Sequence, residues 1–77
     1  MLHVTKARYL SDYQIELFFD DGSQGKVDLA DYLQGPMFEP LKEKSKFAQV
    51  KFDDELGTIV WFNGADLAPE FLRSILE

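Results

Sequence analysis

The 77-residue chain is 45% hydrophobic and 14% aromatic, with seven Phe, three Tyr, one Trp and no Cys. That size suits one domain, residues 1–77, with a core of large side chains, and the composition excludes a disulfide scaffold and a thiolate zinc site. A formal net charge of −6 argues against autonomous nucleic-acid binding, which needs basic groups to displace phosphate counterions; it either keeps the domain soluble or favours encounter with a basic protein.

In chain order, residues 2–10 predict a first strand with imperfect alternation. Tyr13-Gln-Ile-Glu-Leu-Phe-Phe19 predicts a second, with Tyr13, Ile15, Leu17 and Phe19 on one face and Gln14 and Glu16 on the other. Asp20-Asp21-Gly22 predicts a tight turn, and residues 23–27 return as a third strand. Asp28 is placed to cap a short helix over 29–34, which Gly35-Pro36 stops. Residues 37–45 read as a loop followed by a short helix. Phe47 to Phe52 and Thr58 to Phe62 predict a fourth and a fifth strand, joined by the acidic turn 53–57. After Asn63-Gly64, a terminal helix carries Leu67, Phe71, Leu72, Ile75 and Leu76 on one stripe, with Pro69 in its first turn and Asp66 or Ala68 as its cap. The expected fold is α+β: one antiparallel sheet of about five strands, in the order β-β-β-α-β-β-α, with helices on one face.

Catalytic chemistry is poorly provided for. The only His is His3, expected on a strand surface, and none of Ser11, Ser23, Ser45, Ser74, Thr5 or Thr58 lies in a nucleophile-elbow context. Asp20-Asp21-Gly22 and Asp53-Asp54-Glu55 lack calcium-loop spacing and are accounted for as turns. Gly22-Ser23-Gln24-Gly25-Lys26 has neither the spacing nor the context of a phosphate loop. No catalytic residue, metal or cofactor is expected. No stretch reaches the roughly 18 apolar residues of a membrane span, and the first residues lack a secretory leader pattern, so the expected location is cytoplasmic.

The anomaly is apolar. Ile59 and Trp61 point one way from the fifth strand while Val60 and Phe62 point the other, and Phe18 lies on the polar face of the second strand. Either both sheet faces are covered internally, or Phe18, Val60 and Phe62 centre a protein–protein interface, with Asn63 and Asp66 beside it. A homo-oligomer is one way to cover them. The alternative is an enzyme or small-ligand binder at an oligomer interface, using Asp28, Asp66 and Glu70.

Three stretches carry a family resemblance: Leu17-Phe-Phe-Asp-Asp-Gly22 with Val27-Asp28-Leu29; Phe47 to Val50 ahead of Asp53; and above all Gly57-Thr-Ile-Val-Trp-Phe-Asn-Gly-Ala-Asp-Leu-Ala-Pro-Glu70. Together they resemble the bacterial family named domain of unknown function 2442, over nearly the whole length. Members commonly carry Pro where this chain has Phe62. The resemblance implies a small α+β fold in a cytoplasmic bacterial protein and brings no catalytic residues. Some members add a helix-turn-helix domain, which this chain is expected to lack. Members are often encoded beside another small protein, in pairs described as toxin–antitoxin systems, and this chain would resemble the antitoxin. The residues of the signature have a structural reading as well: Trp61 anchors the core, Asn63-Gly64 turns the chain, Asp66 caps the last helix and Pro69 fixes its first turn. The leading expectation is a non-enzymatic interaction module that binds a small, basic protein partner, without direct nucleic-acid or membrane contact.

Overall fold

The computed structural model describes residues 1–77 and has the expected α+β character with antiparallel strands. Strands β1 (Val4–Ser11), β2 (Gln14–Phe19) and β3 (Gln24–Asp28) form a meander in the order β1-β2-β3. The chain then passes through 3₁₀ turns at Ala30–Tyr32 and Glu39–Lys42 into a single-turn helix α1 (Lys44–Phe47). Strands β4 (Lys51–Asp53) and β5 (Thr58–Val60) pair with each other, and helix α2 (Pro69–Ser74) follows.

The five strands therefore make two sheets, of three and two, where the sequence suggested one. The edges explain the division. The outer edge of β3 is taken by the last residues, Glu77 N–H donating to Lys26 O at 2.8 Å. Beyond β5 the returning chain forms a bridge between Val60 and Asp66. Val4 N–H donating to Gly57 O, at 2.8 Å, ties β1 to the turn before β5.

β2 alternates as its sequence requires. Ile15, Leu17 and Phe19 are buried, whereas Gln14, Glu16 and Phe18 face the other way. The imperfect alternation of β1 corresponds to register shifts between Val4 and Lys6 and between Tyr9 and Ser11. Val4, Val27 and the β2 residues meet Leu29, Leu33, Leu41, Phe47, Ile59, Trp61 and Leu72 in one core, so the helical segments cover a single face of the larger sheet.

Three expected elements are corrected. The fifth strand stops at Val60 instead of Phe62, because Trp61 N–H donates to Ala65 O and starts the turn. The fourth strand begins at Lys51 instead of Phe47, because Phe47 ends α1 and is wholly buried among rings. Its neighbours are Tyr13 at 5.2 Å and Tyr9 at 6.2 Å, both edge-on, and a tilted Trp61 at 5.5 Å. The helix expected over 29–34 is only the 3₁₀ turn, and Asp28 Oδ1 accepts the Ala30 N–H at 3.0 Å without capping an α-helix. The first hairpin is clamped onto the 39–47 segment: Tyr13 Oη–H donates to Lys42 O, and Lys44 Nζ meets Asp12 Oδ1 at 3.1 Å. That contact with Asp12 holds the Lys44 ammonium above its ordinary pKa.

Gly25 lies where the chain end crosses β3. A Cβ there would overlap Glu77 O and stand 3.3 Å from Leu76 Cγ. Gly25→Ala is expected to push the 76–77 segment off the sheet edge and to cost about 1–3 kcal/mol, as overpacking does. Urea unfolding monitored by Trp61 fluorescence measures this, and an unchanged midpoint would show the segment is not held there.

Candidate functional site

The turn after β5 is built by its own hydrogen bonds. Trp61 N–H donates to Ala65 O at 2.9 Å and Gly64 N–H to Trp61 O at 3.0 Å, with Gly64 at φ +85°. Asn63 closes the structure at both ends of its amide. Its Oδ1 accepts the Ala65 N–H at 3.1 Å, and its Nδ2 donates to Met37 O at 2.7 Å, joining the hairpin to the 35–38 loop. Trp61 and Ala65 point into the core, and Trp61 Nε1–H donates to Phe47 O at 3.0 Å. Thr58 is also buried, its hydroxyl donating to Leu67 O.

The same turn aims Phe62 outward. Phe62 is 62% exposed and Met37 45%, and neither packs on the core. The Asn63–Met37 bond brings the Met37 backbone to this turn, and Met37 Cε would lie 3.8 Å from a Cβ at Gly64. Tyr32, also exposed, meets Phe71 edge-on at 5.1 Å.

Charge is unevenly spread. Six ion pairs engage Arg8, Lys42, Lys44, Lys46, Arg73 and His3. Their acidic partners are Asp12, Glu16, Asp20, Asp21, Glu39 and Glu43, all in the first 43 residues. From Asp53 onward the chain has six acidic residues and one basic one, Arg73, which is committed to Asp21 at 3.3 Å. Asp31, Asp66 and Glu70 are exposed and none has an ion-pair partner, and Asp66 bridges to Val60 within the hairpin.

Of the five residues singled out as an interface, the structure joins Val60, Phe62, Asn63 and Asp66 on one hairpin. Phe18 lies on the other sheet, in register with Lys6 and Gln24, with the Lys6 ammonium 5.3 Å from its ring centre. Asp66 does not cap α2, whose N-cap is Ala68 with no side-chain bond. The bridge to Val60 holds the Asp66 backbone in the hairpin, too early in the chain to reach the free N–H groups of α2. Pro69 does open the helix, as expected. Met37 and Tyr32 were not recognisable from sequence, since nothing local marks a loop Met as the partner of a residue 26 positions away.

His3 and the Asp20-Asp21 turn are engaged in structure. His3 stands just before β1, its backbone N–H and Nδ1 contacting the two oxygens of Asp20 at 3.0 and 2.9 Å. Its ring covers Gly57. The His3 N–H holds the Asp20 carboxyl below its ordinary pKa, and the hydroxyl and N–H of Ser23 do the same for Asp21. A carboxylate whose pKa is lowered by folding stabilises fully above its unfolded value and loses that contribution as the pH falls through the lower folded one. The turn is therefore expected to loosen below the ordinary aspartate value near 3.8. Asp20→Asn should flatten the acid limb of a stability-against-pH curve, and an acid limb identical to wild type would exclude the pair as its source.

One broad depression of about 420 Å³ opens beside the β4–β5 turn, lined by Lys51, Phe52, Asp53, Asp54, Glu55 and Val60. Asp53 Oδ1 already accepts the N–H groups of Glu55 and Leu56 at 2.9 and 3.1 Å. Neither Asp28, Asp66 nor Glu70 lines it. No three His, Asp or Glu side chains gather so as to hold a metal ion, and no helix is long and apolar enough to cross a membrane.

The sequence model of a family described as "Protein of unknown function (DUF2442)" matches residues 4–75. No curated protein and no solved structure matches the chain.

Proposed function

The chain belongs to the DUF2442 family, and on that premise we propose that it is a non-enzymatic interaction module whose hairpin surface receives a small basic protein. The observation that carries the reading is the outward Phe62, 62% exposed on a turn fixed by bonds at Asn63, Gly64 and Ala65. A rigid exposed aromatic anchor loses little conformational freedom on binding, and such anchors dominate interface energetics. Exposed Met37 is held at the same turn by Asn63, and Asp66 on the hairpin supplies negative charge without an ion-pair partner. This arrangement suits a partner with an apolar socket and a basic rim.

In its finer form the proposal is that the chain acts in the bacterial cytoplasm as an antitoxin that masks the product of the neighbouring gene by surface burial. Co-expression of the two proteins tests it. The expected outcome is co-purification of a stoichiometric complex, with growth restored when the neighbour alone arrests it. Absence of both complex and rescue removes the antitoxin reading.

A further inference from the structure

We infer that Asn63-Gly64 is a latent deamidation site which the folded hairpin holds unreactive and which hairpin opening releases. The chemistry belongs to the sequence. Gly64 has no Cβ to shield its backbone nitrogen or restrict its approach to the preceding side chain. Once hydroxide has taken the Gly64 amide proton, that nitrogen attacks Asn63 Cγ. A ring C–N bond forms, the Cγ–Nδ2 bond breaks, and Nδ2 leaves as ammonia after taking a proton from water. Water then opens the succinimide at either carbonyl, giving an aspartate in the normal backbone or its isoaspartyl isomer.

In the folded chain each participating atom is occupied. The attacking nitrogen keeps its proton in a bond to Trp61 O at 3.0 Å. The departing nitrogen donates to Met37 O at 2.7 Å. The Ala65 N–H on Asn63 Oδ1, at 3.1 Å, polarises the amide carbonyl in the productive direction. The two carbonyls therefore act as the brake, and both release together when the turn opens. The product cannot return to the same structure, because a carboxylate has no N–H for Met37 O and an isoaspartyl link lengthens the backbone beside Gly64. Deamidation would thus uncouple the Met37 loop from the hairpin. This inference stands whether or not a partner binds there.

The test is peptide-mapping mass spectrometry of the full wild-type chain, incubated at mildly alkaline pH with and without denaturing urea. Hydrogen exchange of the Gly64 amide gives the open fraction. Conversion of residue 63 is expected in urea, and at least about tenfold slower without it, in proportion to that open fraction. Equal rates in both conditions, or no conversion of residue 63 in urea, would overturn the inference.

Discussion

Phe47→Ala is expected to cost about 3–5 kcal/mol, as complete truncation of a buried aromatic does. Domains of this kind are stable by only about 5–15 kcal/mol in total, and a short chain sits toward the lower end, so the variant should be left only marginally stable at ambient temperature. The size of the effect follows from position. Phe47 is fully buried, and its ring is shared by the first hairpin through Tyr9 and Tyr13 and by the second sheet through Trp61. Far-UV circular dichroism and urea unfolding measure it. A loss near 1 kcal/mol would mean that the two sheets close over the cavity and do not depend on this ring.

Phe62→Ser is expected to do the opposite: leave the fold unchanged and weaken partner binding. Exposed side chains away from caps and strained backbone change stability by about 0.5 kcal/mol or less. Removal of a central aromatic anchor costs at least about 2 kcal/mol of binding, roughly 30-fold in affinity. Serine removes the ring without adding charge, which keeps the apolar contribution apart from the electrostatic one. The charge contribution has its own variant. Asp66→Asn combined with Glu70→Gln should lower the association rate and flatten its dependence on salt, with a smaller effect on dissociation. If the double variant changed dissociation more than Phe62→Ser does, the charged groups and not the ring would be holding the complex together.

Much of this structure was legible where local pattern and tertiary demand agree. The alternation of Ile15, Leu17 and Phe19, the Asp20–Gly22 turn and the apolar stripe beginning at Leu67 each follow from a single segment's own chemistry. The irregular alternation of β1 also carried information, since its two register shifts are where the pattern falters. What failed depended on longer range. The apolar run that begins at Phe47 reads as strand, but three rings from other segments draw Phe47 into the end of a helical turn. Asp66 has the chemistry of a cap and lies two residues before the true N-cap, in a bridge that only the hairpin creates.

The candidate site divides in the same way. The Asn63-Gly64 turn could be read directly, but β5 stops at Val60, short of the strand expected to reach Phe62, and it is the turn that leaves Phe62 exposed. The grouping with Phe18 could not be judged, because strand pattern assigns a residue to a face without saying which sheet that face belongs to. Met37 enters the surface only through a side chain–carbonyl bond across 26 residues.

The central claim is that the hairpin surface works by burying Phe62 against a partner. Calorimetric titration of the neighbouring gene's protein with wild-type chain and with Phe62→Ser tests it most directly. Saturable wild-type binding with a negative heat-capacity change is predicted, weakened at least about 30-fold in a variant of unchanged melting temperature. Equal affinity of the two chains would contradict it.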